Sequence, residues 1–347
     1  MFQQAASTKL ASLLQRAGAT APESWRGKQS MPGVRMSVWN LVTCRAEGPG
    51  AASFVAATDA EGRVRRHPVL ARYPDVGAAL QDWAELEPVL RAWRPAEGEP
   101  LESVELLAPL PRPGKLVFAG ANYHDHLREM GVGTLPDGME PYFFLLPPTA
   151  IVGPGEAVSI PRDPAARVDW EAELGVVIGR RAHRLPAERA LEAVAGYTIV
   201  NDVSARGLHA RPNPLAPPFA YDWLASKGRD TFTPIGPGVT PSWFVADPQA
   251  LPIRLWRNGV LEQDGNTKDM IFTVAQLVSA ASALMTLEPG DVIATGTPAG
   301  VGAAKGLALQ DGDRLRIRIE PLGELGNDVR QAEPLLASAP SNTVEQG

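Results

Sequence analysis

The sequence predicts an α+β chain in which strands outnumber helices, with a small N-terminal domain ahead of a larger one. Three observations carry this prediction. Short apolar runs bounded by Gly, Pro or Asp recur along the chain: KLVFAG from Lys115, LGVVIG from Leu174, YTIVND from Tyr197 and DVIATG from Asp291. Asn258-Gly259, set between two apolar strands, is the strongest hairpin signal present. Helical periodicity is confined to a few segments, chiefly Leu80 to Trp93 and the stretch opened by Thr273.

Taken in order, residues 1–35 read as peripheral, with an amphipathic turn or two at Ala11–Leu14 and a loop rich in Pro and Gly after it. Strands are expected at 37–44, 53–57 and 62–70, with AEGPGA and DAEG as turns. Leu80, Trp83, Leu86, Leu90 and Trp93 fall near one helical face and belong in a core. RPAEGEP is a linker, so residues 1–110 form the N-terminal extension and small α/β domain, and the main domain spans 111–325. In that domain Asn122 to Gly131 reads as a short helix that Gly131 ends. From Val168 the chain runs strand, helix, strand: Pro186 suits the first turn of the helix, Gly196 its C-terminal end, and the second strand stops at Asp202. Thr273 with Gln276 forms a capping box. A last strand is expected near 313–320, and 326–347 reads as a flexible tail.

The chemistry concentrates between Val168 and Asp202. Residues two apart on a strand share a face, so Glu171 and Glu173 project side by side. Like charges tolerate that poorly unless a cation lies between them. The return path of the chain brings Asp202 toward the same spot. Three carboxylates together suit a hard cation, Mg²⁺ or Mn²⁺ rather than zinc, because no Cys or His belongs to the cluster. A solvated edge strand would also carry two glutamates, but the flanking LGVVIG and TIV argue for a place near a core. His126 and Glu129 are i,i+3 neighbours if their segment is helical. A carboxylate beside an imidazole makes a general base for water; the same pair also occurs as a plain surface ion pair. His124 lies on another face. Lys227, next to Gly228, stands in a loop where a ligand approaches or is an ordinary exposed lysine. Thr297 either donates to an oxyanion or stabilises its own turn. Its surroundings, GTPAGVG, lack the Lys and spacing of a phosphate-binding loop.

Length and composition bound the rest. The 347 residues suffice for one large domain or two ordinary ones. Hydrophobic residues make up 44% and charged residues 21%, a globular balance. A net charge of −6 invites neither nucleic acid nor an anionic membrane. The lone Cys44 rules out an intrachain disulfide framework and a zinc cluster built on Cys, which fits a reducing, cytoplasmic setting. No stretch is apolar for long enough to span a bilayer.

Six pieces in order over residues 111–322 resemble the fumarylacetoacetate hydrolase superfamily: GANYHDHLREMG, DWEAELGVVIG, YTIVNDVSARGL, KGRDTFTPIGP, RNGVLEQDGNTKDMIF and LEPGDVIATGTPAGVG. The resemblance implies a mixed β-barrel or β-roll catalytic domain, a homodimer, and Mg²⁺ or Mn²⁺ held by Glu171, Glu173 and Asp202. It carries an acid/base role to His126 and Glu129, substrate contact to Arg206 and Lys227, and a place near the substrate's oxygens to Thr297. His209 stands where many relatives have Gln, and Leu146 where an FxKP motif has Lys; both are expected to line or adjoin the pocket, as is the longer insert 211–220. The implied function is metal-dependent hydrolysis of a C–C bond in an acylpyruvate-like 2-oxo acid. Isomerisation of a 2-hydroxydienoate, decarboxylation of a β-oxo acid and metal-dependent binding without catalysis are the alternatives, and no nucleic-acid or membrane partner is expected.

Overall fold

A computed structural model describes residues 38–48, 50–59 and 61–333. The turn expected at Ala11–Leu14 and positions 334–347 of the expected tail lie outside these. The main strands are β1 (Leu41–Ala46), β2 (Ser53–Thr58), β3 (Val64–Arg66), β4 (Leu116–Gly120), β5 (Ala172–Ile178), β6 (Val194–Asn201) and β7 (Thr233–Pro241). After them come β8 (Pro252–Arg257), β9 (Val260–Asn266), β10 (Val292–Ala294), β11 (Arg314–Ile319) and β12 (Gly323–Gln331). Among the described residues the α-helices are α1 (Val76–Gln81), α2 (Trp83–Ala92), α3 (His124–Glu129), α4 (Ala187–Ala190), α5 (Trp223–Lys227) and α6 (Val274–Leu284).

The larger sheet runs Glu99–Pro100, β3, β2, β1, β7, β6, β5, β10, β4, Tyr142–Leu145. The smaller runs β9, β8, β11, β12, Val158–Ile160. Most neighbours are antiparallel, but β4 lies parallel to β10 and β12 parallel to Val158–Ile160, so both sheets are mixed. Asn258 (φ +52°) and Gly259 (φ +81°) both take the left-handed conformation that a two-residue turn needs, and they join β8 to β9. The capping box at Thr273 is formed and opens α6.

All seven residues of β5 are buried. Leu174, Val176 and Ile178 enter a core shared with Ile253, Leu255, Ile317 and Ile319 of the smaller sheet and with Val274 and Val278 of α6. Val177 faces the opposite way, toward Trp39, Leu80, Trp83, Ile235 and Val239. A strand covered on both faces reads as an unbroken apolar run, which is what LGVVIG is. Each such side chain contributes about 1.5–3 kcal/mol on burial, so β5 is a stiff platform for the acids at its start.

Several expectations change in detail. The helix expected from Pro186 to Gly196 is one turn, α4, followed by a 3-10 turn at Leu191–Ala193. Gly196 lies within β6, where a Cβ would stand 2.2 Å from the Thr240 carbonyl oxygen. It is there for close strand approach, not to stop a helix. The helical stretch at 80–93 is split between α1 and α2, and its five apolar residues are buried as expected. β12 extends to Gln331, well into the stretch read as tail. One sheet and one core cross residue 110: β1 pairs with β7 at Leu41 and Val239, and Trp39, Leu80 and Trp83 pack with Val239 and Val292.

Candidate metal centre and catalytic cleft

The end of β6 meets the start of β5. Ala172 pairs with Asn201, the Asp202 amide donates to the Glu171 carbonyl (2.9 Å), and the Asn201 side chain accepts from the Glu171 amide (3.1 Å). These backbone ties bring Glu171, Glu173 and Asp202 together, with one oxygen of each within 4.8 Å of the others, all three buried. Glu173 accepts from the Gly296 amide at 2.8 Å. Gly296 has φ +88°, and a Cβ there would lie 2.8 Å from that of Asn122, so only glycine brings this amide in. Oδ1 of Asp202 is buried without a hydrogen-bond partner among the described residues.

Lys227 and Arg206 face this cluster. Lys227 is the last residue of α5, not a loop residue, and is buried at 3% exposure. Its Nζ donates to Glu171 at 2.9 Å and to Asp202 at 2.5 Å. Arg206 donates through Nε to Asp169 at 2.8 Å and through Nη2 to Glu171. Asp169 is fully buried and its other oxygen accepts from the Ala303 amide at 2.8 Å. Four carboxylates, Asp169, Glu171, Glu173 and Asp202, thus meet two cations, so two negative charges would be left in a buried place were every acid ionised.

The carboxyls respond unequally. Burial pushes Glu171 up, but Lys227 and Arg206 outweigh it and hold the group at about 2. Burial, reinforced by Asp202 and Glu171, drives Glu173 well above the usual carboxylate range, since Lys227 bonds to the other two acids. Burial and Glu171 lift Asp202 to about 7 against the pull of Lys227. An orphaned oxygen and mutually repelling acids, two of them raised, are what a divalent cation would relieve. All three donors are oxygens, which suits Mg²⁺ or Mn²⁺.

His126 and Glu129 do fall on one side of α3, with Nδ1 and Oε2 2.9 Å apart. The carboxylate can only accept, so Nδ1 carries the proton and Nε2 is left as a base. The other Glu129 oxygen accepts from the Gly300 amide at 2.9 Å, tying the dyad to the glycine loop after β10. His124 is exposed. Asn122, ahead of α3, donates to the carbonyls of Phe272 (3.0 Å) and Thr295 (2.9 Å) and fixes where the helix starts.

Thr297, in the turn after β10, is tied to β5 and β9. Its one hydroxyl proton goes to the Ala172 carbonyl at 2.9 Å, and its oxygen accepts from Gln263 at 2.8 Å, so it braces the turn and has no proton left for an oxyanion. Leu146, expected to line or adjoin the pocket, is buried in the core with Phe118, and Phe144 packs against that core. His209 is half-buried against Trp223 and Tyr221. Burial, then Lys227 and Arg206, holds its imidazole below the ordinary histidine value. Sequence reasoning missed Asp169, Asn122, Gln263 and Gly300. For Asp169 the signal was present, since DWEAE sets a third acid two residues ahead of Glu171.

Comparison with known proteins agrees with this arrangement. Residues 115–330 match the family model described as fumarylacetoacetate (FAA) hydrolase C-terminal. An oxaloacetate tautomerase of Xenopus laevis mitochondria is 40% identical over 229 residues, 65% of this chain and 69% of that protein. Among solved structures, maleylpyruvate hydrolase from Sphingobium sp. SYK-6, in complex with manganese(II) and pyruvate, superposes with a TM-score of 0.66 at 32% identity. It covers 85% of this chain and 100% of that one. The 5-carboxymethyl-2-hydroxymuconate delta-isomerase of Mycobacterium smegmatis gives a TM-score of 0.62 at 33% identity, over 85% and 100% of the two chains. With the matched segment spanning both the acidic triad and the histidine dyad, this chain belongs to the fumarylacetoacetate hydrolase family.

Proposed function

We propose that the chain is a divalent-metal-dependent hydrolase that cleaves the C–C bond of an acylpyruvate-like dioxo acid. The observation that carries this reading is that one loop joins the His126–Glu129 dyad to the triad: its Gly300 amide donates to Glu129 and its Gly296 amide to Glu173. Glu171, Glu173 and Asp202 would hold Mg²⁺ or Mn²⁺. Once bound, the ion supplies Lewis acidity toward the carboxylate and 2-oxo oxygens of the substrate. Nε2 of His126 takes a proton from water as the water oxygen bonds to the distal carbonyl carbon. The C–C bond between that carbon and its neighbour then breaks, and its electron pair remains on the pyruvate fragment as an enolate. The Lys227 ammonium meets that developing charge. Protonation of the enolate carbon completes pyruvate, beside one carboxylic acid.

The manganese and pyruvate in the Sphingobium enzyme support the metal and the pyruvyl end of this reading. A second reading has support of its own, because two relatives are named as a tautomerase and an isomerase. There the same dyad would move a proton between carbons or oxygens with no water consumed. Product analysis on an acylpyruvate with Mn²⁺ separates the two: two carbon fragments, or one isomer of unchanged mass. His126→Ala should lower turnover ~10²–10⁴-fold while Mn²⁺ and oxalate binding stay within about two-fold, since the imidazole is invoked for proton transfer alone. Near-normal turnover by that variant would remove the dyad from the mechanism.

A further inference from the structure

Beside the carboxylates, five ring side chains form one continuous wall: Phe144, Trp223, His209, Tyr221 and Tyr142. The Phe144 ring lies 5.8 Å from Nζ of Lys227. Trp223 stacks on Phe144 with centroids 4.8 Å apart. His209 stands edge-on to Trp223 at 4.4 Å and stacks on Tyr221 at 5.1 Å. Tyr142 leans on Trp223 at 5.7 Å. Stacked and edge-to-face contacts of this kind add to burial, so the five rings hold one another in place. The inner member, Phe144, is half-buried next to the Lys227 ammonium, whereas Tyr142 and Tyr221 are 54% and 64% exposed. The wall therefore leads from the triad's cation out to solvent.

Its charge is as informative as its shape. Cations that adjoin the wall are committed elsewhere: Arg211 to Asp222, Arg206 to Asp169 and Glu171, Lys227 to Glu171 and Asp202. Burial, then Lys227 and Arg206, works against a positive charge on His209. A carboxylate laid against such a surface would lose water and compete with acids already paired to these cations, whereas a flat apolar group would gain by leaving water.

We infer that this wall receives the distal group of the 2-oxo acid and selects an aryl or unsaturated alkyl end over a terminal carboxylate. The inference rests on the triad as the seat of the 2-oxo acid head. It fixes the class of substrate that the proposed function leaves open.

The test uses ligands with no bond to cleave, so it does not depend on turnover. On the Mn²⁺-loaded full-length protein, 2-oxo-4-phenylbutanoate and 2-oxoglutarate are each titrated in competition with oxalate by calorimetry. The two share a head and differ at the distal end. The phenyl compound should bind at least ~10-fold more tightly. Tyr221→Ala and Trp223→Leu should cut that ratio below ~3-fold with oxalate affinity retained, and Tyr221→Lys should shift it toward 2-oxoglutarate. Equal or tighter binding of 2-oxoglutarate by the unaltered protein overturns the wall alone, provided oxalate binding needs Mn²⁺. Oxalate binding indifferent to Mn²⁺ would instead remove the seat, and with it both the proposed function and this inference. Variants that weaken oxalate as much as the phenyl compound would show that the rings only support α5. Variants that alter mass in solution without altering the ratio would assign the rings to contact between copies of the chain.

Discussion

Glu173 is the residue on which the metal reading turns. It accepts one amide and otherwise faces two other acids, and burial together with their charge makes its ionised form costly. Glu173→Gln should therefore do two opposite things: weaken Mn²⁺ binding sharply, ~10–100-fold, and leave the metal-free protein as stable or more so. Calorimetric Mn²⁺ affinity unchanged by this substitution would reject the site. Lys227→Met tests a different charge. If the ammonium serves the enolate, turnover should fall ~10²-fold or more while Mn²⁺ affinity holds or rises, because a competing cation has left Glu171 and Asp202. A fall of metal affinity in step with activity would reduce Lys227 to a structural counter-ion. At this scale the acids were legible from spacing alone, because strand alternation and a returning chain are local rules. The burial of Lys227 was not: nothing near it in sequence tells that α5 docks onto acids 25 and 56 residues earlier. The spent hydroxyl of Thr297 was hidden for the same reason, its partner being 125 residues away.

Among the elements, α3 and the loop after β10 act together. α3 has one turn of apolar contact through Leu127 and no side-chain cap at Tyr123, so little of its placement is its own. Asn122 pins its start and Gly300 its end, the latter through the Glu129 carboxylate. Gly300 has φ +106°, and a Cβ there would stand 2.2 Å from the Glu262 carbonyl oxygen. Gly300→Ala must move the loop and so its amide. Turnover should drop ~10–100-fold through misplacement of His126, with Mn²⁺ affinity little changed, since none of the triad bonds to Gly300. Equal losses of Mn²⁺ binding and turnover would mean that the whole cleft had shifted. Element types were readable where the signal is local, as with the Asn258-Gly259 turn and the Thr273 capping box. They misled where packing decides: Gly196 looked like a helix stop, yet the constraint on it is the Thr240 carbonyl on a neighbouring strand.

For the molecule as a whole, the buried acids couple metal, proton and fold. Carboxyls of Glu173 and Asp202 are raised in the folded chain, the latter to about 7, while an unfolded chain would release both protons near pH ~4. Between those limits the folded state holds more protons than the unfolded state. The metal-free protein should accordingly be most stable at the acid end of that window and lose this contribution as pH rises toward about 7. Glu171, held at about 2, works in the opposite sense, but its contribution is already complete above its unfolded value and adds no slope within the window. His67, lowered by burial to about 4, does add an opposing slope, since it must charge on acidification. The difference between metal-loaded and metal-free protein cancels His67, because its protonation is common to both. A bound cation displaces the protons from Glu173 and Asp202 and removes their penalty, so the gap in melting temperature with and without Mn²⁺ should widen as pH rises from about 5 to about 7.5. At saturating metal, ~100 times the dissociation constant, the stabilisation should reach ~2.7 kcal/mol. Thermal melts at four or five pH values, each with Mn²⁺ and with a chelator, measure it directly. A gap independent of pH would mean that the acids bind the ion without giving up protons, and that the strain assigned to Glu173 and Asp202 is not there.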